Sequence, residues 1–195
     1  MAEVRERSSS RLVTRSARAT HALGARLGRL LAPGDVVALV GELGAGKTQL
    51  VRGACAGAGV PPAEVSSPSF AIVATYAGRI PVHHADLYRI ADEDELYGTG
   101  FGDLVGGEGA LLVEWADQIP RALPDEKLTL KLAHDARAPD VRHVVVEGVG
   151  KRHAALAREL AAGTGSGSRS RSGPKSGSRS KSTTTTTTTR RRRRR

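Results

Sequence analysis

Three observations predict an α/β fold built on a mixed β-sheet. A β-branched run, Asp35–Val40 (DVVALV), leads through a glycine-rich segment directly into an amphipathic stretch. Strand-like and helix-like segments alternate at first, and closely spaced strand-like pairs follow; helices layered on a sheet with hairpins bury both kinds of segment. From Gly163 to Arg195 the chain uses only Gly, Ser, Thr, Pro, Lys and Arg. Such a stretch has no apolar side chains to offset the entropy of ordering, so a disordered basic tail is predicted there.

The polar residues 1–10 are predicted to be a flexible N-terminus and residues 11–162 to form one domain. Leu12–Leu31 carries apolar residues at helical spacing with arginines opposite, and Pro33-Gly34 ends it. Asp35–Val40 is long enough for a buried strand and too short for a helix. Lys47–Gly59 reads as a helix with Leu50, Val51, Ala54 and Cys55 on one face. Ser69–Tyr76 and Ile80–Ala85, joined by Ala77-Gly78-Arg79, read as a hairpin. A short acidic helix is predicted over Asp92–Leu96, then a glycine-rich loop from Gly98 to Gly109. Ala110–Val113 is a buried strand, Lys127–Ala133 and Val141–Glu147 are alternating strands, and Ala154–Ala162 is a closing helix.

Gly41–Thr48 reads GELGAGKT and matches G-x-x-x-x-G-K-[ST] in full, between a predicted strand and a predicted helix. The pattern is that of a P-loop in a three-layer NTPase-like fold. Gly41, Gly44 and Gly46 allow close backbone approach, and the loop formed with Glu42, Leu43 and Ala45 turns its amides toward phosphate at a helix N-terminus. Lys47 supplies a cation for the β- and γ-phosphates and Thr48 a hydroxyl for Mg²⁺. ATP is the expected nucleotide, because the chain contains no asparagine and so lacks the Asn-Lys-x-Asp element of Ras-type GTPases. Asp103–Gly106 reads D-x-x-G but lies in the predicted loop.

Nucleotide hydrolysis needs a carboxylate for Mg²⁺ and a group that orients or deprotonates water. Asp86 and Glu114 sit at the ends of two predicted strands and are the catalytic and metal-binding candidates, with Thr48. Trp115, the single tryptophan, follows Glu114. His83 and His84 are adjacent on a strand and face opposite ways, which argues against a metal pair.

Composition narrows the classes further. The tail's eleven basic residues, taken from the chain's 30, leave 19 against 20 acidic ones, a net charge of −1. The high charge belongs to the tail, and the domain itself offers no basic footprint for nucleic acid. One cysteine, Cys55, excludes an intrachain disulfide, and no apolar run is long enough to cross a bilayer. A cytoplasmic protein is expected.

The P-loop, Ser67-Pro68-Ser69-Phe70, His84-Ala85-Asp86-Leu87-Tyr88-Arg89, Leu112-Val113-Glu114-Trp115 and Leu123-Pro124 follow in an order that resembles the TsaE (YjeE) family over about Leu23 to Leu132. The resemblance implies an ATPase required for threonylcarbamoyladenosine (t6A) in tRNA, acting with the TsaB–TsaD pair. It implies that Lys47 and Thr48 bind phosphates and Mg²⁺, that Asp86 holds the metal, and that Glu114 serves the attacking water or the metal. It makes Ser67, Ser69 and Phe70 a switch-like loop, with Trp115 beside the catalytic acid. Ser69 replaces the usual Thr, and Gln49 a common second Thr. The basic tail lies outside the pattern and is a candidate for direct tRNA contact; otherwise contact with tRNA is indirect. The alternative is a small P-loop kinase, for which Arg79 and Arg89 would have to supply a phosphate-covering lid.

Overall fold

In a computed structural model, residues 5–65 and 72–163 are described. Ser67, Ser69 and Phe70, residues 1–4, and the tail beyond Gly163 lie outside them.

Among the described residues seven strands form one sheet in the order β1-β7-β6-β2-β5-β4-β3. These are β1 (Arg7–Thr14), β2 (Val36–Val40), β3 (Val73–Ala77), β4 (Pro81–Asp86), β5 (Ala110–Glu114), β6 (Leu128–His134) and β7 (Arg142–Val149). The four central strands, β6, β2, β5 and β4, run parallel, and the pairs at the two sides are antiparallel. The mixed sheet expected from the sequence is therefore present, with the β3–β4 hairpin on one side and β6–β7–β1 on the other. Sequence explains the division: β2 and β5 are almost uninterrupted apolar runs, VVALV and ALLVE, buried on both faces, whereas β6 and β7 alternate.

Helices α1 (Ala17–Leu30), α2 (Lys47–Gly57) and α4 (Lys151–Ala162) share one apolar cluster with Leu39, Leu112, Leu130 and Val146. The short α3 (Glu93–Tyr97) and 3₁₀ turns at Phe101–Leu104 and Pro120–Ala122 cover the other face through Leu96, Phe101, Ile119 and Leu123. At the N-terminal end of β2, buried Asp35 takes two hydrogen bonds from Arg152, at 2.9 and 2.6 Å, and so ties α4 to the sheet. Asp103–Gly106 borders this end, away from the P-loop; the Gly106 carbonyl approaches Gly34, just before β2.

The N-terminal expectation is corrected. Arg7–Ser10 belongs to strand β1, and Leu12–Thr14 completes it where a helix was predicted. The helix starts only after Ser16, whose hydroxyl caps it by accepting from the Ala19 amide at 3.1 Å. Hydroxyl-rich RSSSRLVT has too few apolar residues to announce itself; it forms a strand because β7 offers an edge along its whole length. Other boundaries move by a few residues: α2 stops at Gly57, and α4 begins at Lys151.

Helices α1 and α2 pack backbone to backbone. A Cβ on Gly24 would lie 2.0 Å from the Leu50 carbonyl oxygen, and one on Gly28 would lie 1.9 Å from that of Ala54. Gly53 and Gly57 make the reciprocal approach, to the carbonyls of His21 and Ala25. Alanine is the better helix former by about 1 kcal/mol, but an overpacked contact costs roughly 1–3 kcal/mol, and a backbone clash cannot be relieved by a rotamer change. Gly28→Ala is therefore expected to lower the thermal midpoint. An unchanged or higher midpoint in a melting experiment would show that the helices can part without cost.

Candidate nucleotide site

The P-loop spans the turn from the C-terminal end of β2 into α2. Gly41 has φ +148°, and a Cβ there would lie 2.3 Å from the Leu132 carbonyl oxygen, so the strand end admits only glycine. Gly46, with φ +102°, caps α2 without a side chain. Its left-handed backbone turns the chain into the helix and leaves the first-turn amides free to meet an anion.

Strand order then gathers the acids. Asp86 and Glu114 end β4 and β5 at the same level, as register partners, and Glu114 is also level with Leu39 of β2. The Thr48 hydroxyl donates to Glu114 Oε2 at 2.9 Å, so the hydroxyl after the P-loop lysine and the carboxylate meet across 66 residues of sequence. Glu114 is only 2% exposed. On its other oxygen, Oε1, it accepts from His84 Nε2 at 2.9 Å, while His84 Nδ1 is buried without a hydrogen-bond partner. Asp86 Oδ1 accepts from the Tyr88 amide at 3.1 Å, which fixes the turn leaving β4.

Lys47 lies along the loop, donating from Nζ to the carbonyls of Gly41 at 2.6 Å and Glu42 at 2.9 Å. Its ammonium also sits 3.6 Å from the centroid of the Trp115 ring. Burial pulls the Lys47 pKa below its ordinary value, and the charges of Glu114, Asp117 and Asp86 oppose that pull. Trp115 is held at φ +58°, a conformation unusual for a bulky residue, and its ring lies 4.9 Å from that of Tyr88 at a 45° tilt. Ile72, at φ +52°, is the other non-glycine residue with positive φ among those described, and it too lines the cleft. Two such conformations at one site are the kind of local strain that clusters where ligands are clamped.

Together these residues line an open cleft of about 620 Å³, with Arg52, Arg89 and Glu95 on its wall. The volume suits a nucleotide. Among the described residues no group of three or more His, Cys, Asp or Glu side chains could hold a metal by itself. Mg²⁺ keeps much of its water and is usually shared between one or two carboxylates and substrate phosphates. Thr48, Asp86 and Glu114 could supply the protein's share.

Sequence reasoning missed three participants. His84 cannot pair with His83 on a metal, yet it lies two residues before Asp86 and so on the same strand face, which is the signal in the sequence that points to it. Asp117 acts on Lys47 only through the fold. Arg142, on β7, reaches the P-loop carbonyls from outside. Arg79 is not at the cleft: it donates to the carbonyls of Leu31 at 2.8 Å and Gly28 at 3.3 Å, closing the C-terminal end of α1. One of the two arginines a kinase lid would need is thereby committed elsewhere. Cys55 is buried in the apolar cluster, which pushes its thiol up to about 12, and it is inert there.

Known proteins similar to this chain share one family. Residues 14–144 match the family described as "Threonylcarbamoyl adenosine biosynthesis protein TsaE". The tRNA threonylcarbamoyladenosine biosynthesis protein TsaE of Treponema pallidum is 39% identical over 122 residues, covering 63% of this chain and 90% of that protein. Its namesake from Bacillus subtilis is 41% identical over 132 residues, covering 66% and 79%. The crystal structure of Bacillus subtilis YdiB superposes with a TM-score of 0.63 at 30% identity, covering 84% of this chain and 99% of that one. The sequence match runs from the end of β1 into β7, through every element that shapes the cleft, and the chain therefore belongs to the TsaE family.

Proposed function

We propose that this chain binds magnesium-ATP in the cleft and hydrolyses it as the ATPase of the machinery that forms t6A in tRNA, in the cytoplasm and together with the TsaB–TsaD pair. The observation that carries the reading is the meeting of Thr48 and Glu114 beside the P-loop, with Asp86 level on the next strand. Family membership supplies the pathway. Among the described residues no helix is long and apolar enough to cross a membrane, which is consistent with this setting.

Each residue has a distinct task. The P-loop amides and Lys47 take the phosphate charge, Lys47 exchanging its two carbonyl partners for phosphate oxygens. Thr48 and Asp86 would hold Mg²⁺, which would supply positive charge to offset that of the phosphates. Glu114 is the group for water: His84 occupies Oε1 and holds the carboxylate in one rotamer, so Oε2 can point to the phosphate side. Burial of Glu114 among His84, Thr48 and the sheet keeps bulk water from competing for it. Trp115 and Tyr88 wall the cleft beside the Lys47 ammonium, and Tyr88 is 54% exposed, available to a partner that completes the site.

The test is reconstitution of tRNA modification with purified TsaB, TsaD, a threonylcarbamoyl-adenylate synthase, tRNA and ATP, with and without this protein. Sustained t6A formation that needs this chain and its Lys47 is expected. Equal yield in its absence would reject the role, and a phosphorylated small molecule would point to kinase chemistry instead.

A further inference from the structure

Arg142 lies outside the motifs that mark the cleft. It is the first residue of β7, two strands away from the P-loop strand. Its guanidinium nevertheless reaches the loop: Nε donates to the Ala45 carbonyl at 3.1 Å and Nη2 to the Gly44 carbonyl at 3.3 Å. Nη1 donates to the carbonyls of Val141, at 3.0 Å, and Pro139, so both sides of the fork are engaged. No carboxylate pairs with Arg142 among the described ion pairs. A side chain that spends its charge on four backbone carbonyls, two of them in the P-loop, is not explained by strand formation alone.

Peptide geometry says what the contact does. In a trans peptide the N–H points opposite to the C=O, and the described chain has no cis bonds. Drawing the Ala45 carbonyl outward to Arg142 therefore turns the Gly46 N–H the other way, into the cleft that Gly46 and Lys47 line. A hydrogen bond from a cation also polarises the peptide it touches, which makes the opposite N–H a stronger donor. The Ala45 N–H is itself spent on the Glu42 carbonyl at 3.1 Å, so the loop has few amides to offer and the direction of Gly46 matters more.

We propose that Arg142 is a positioning residue of the phosphate cradle: from the outer side it clamps the Gly44 and Ala45 carbonyls and so presents the Gly46 amide to the nucleotide's phosphates. The inference rests on the cleft being the nucleotide site. Because the clamp acts on the loop before and during reaction alike, it contributes uniform binding, and its loss raises KM while leaving turnover at saturation nearly unchanged.

The test measures magnesium-ATP and ADP affinity by calorimetry for the full chain, Lys47→Ala, Arg142→Gln and Arg142→Lys, with thermal midpoints taken without nucleotide. Wild type is expected to bind and Lys47→Ala to fail. Arg142→Gln is expected to weaken both nucleotides roughly tenfold, about the effect of one charge-assisted hydrogen bond, with a midpoint close to wild type. Arg142→Lys, which keeps the charge but not the fork, is expected to fall between them. Wild-type affinity in Arg142→Gln overturns the clamp while the nucleotide site stands. Weakened binding that merely follows a collapsed midpoint in both variants also overturns it, since Arg142 would then support the strand and not the cradle. If wild type binds neither nucleotide, the nucleotide-site reading falls first and the clamp with it.

Discussion

Lys47→Ala is expected to remove measurable ATP binding, a loss of at least roughly 100-fold, in line with truncating one partner of a buried, hydrogen-bonded charge pair. The size follows from where the ammonium sits. It is 4% exposed and already partly desolvated, as its lowered pKa reflects, so much of the cost of bringing it to a phosphate is met by the fold. The carbonyls of Gly41 and Glu42 and the Trp115 face hold it at the loop, where its proposed task is to meet the phosphates. Alanine leaves a triphosphate facing Glu114, Asp86 and Asp117 without that cation, so repulsion adds to the lost attraction. Calorimetry with magnesium-ATP decides the matter, and wild-type affinity in the variant would remove the P-loop from the binding account.

Glu114→Gln is expected to keep ATP affinity within a few-fold and to lower hydrolysis by about 10²- to 10⁴-fold, the usual worth of a general acid–base group. The two carboxylate oxygens accept from different donors, Thr48 on Oε2 and His84 on Oε1. A glutamine amide can accept from only one of them. The conflict is soluble, because His84 Nδ1 has no partner and the imidazole can shift its proton there, letting Nε2 accept from the amide. The fold and the nucleotide pocket are thus expected to survive while the negative charge and the basic oxygen are lost. Phosphate release, measured with TsaB and TsaD present, separates the outcomes: normal turnover with normal binding would take water activation away from Glu114.

The contrast between what could and could not be foreseen follows sequence separation. GELGAGKT was legible because strand, loop and helix are contiguous there, so eight consecutive residues carry its pattern. Asp86 and Glu114 were legible as strand-end acids, since strand direction and length can be read locally. Their common level could not be read, because it depends on β4 and β5 being parallel neighbours. His84 was misjudged for the same reason: an alternating strand says which face it takes, not that Glu114 waits on the adjoining strand 30 residues away. Strand β1 was missed because its few apolar residues hide the alternation, and its stability comes from the ladder with β7, some 130 residues on.

What this sequence determined alone was the class of fold, the glycine-rich turn from strand into helix and the pool of acids, all properties of short apolar periods and of glycine at required backbone angles. The tertiary structure decided which members of that pool meet: Thr48 and His84 on Glu114, Lys47 over Trp115, and Arg142 behind the P-loop 97 residues before it. The physical reason is that local preferences act within a few residues. A contact between distant side chains, by contrast, is set by strand order and register, which only burial of the whole sheet against its helices can select.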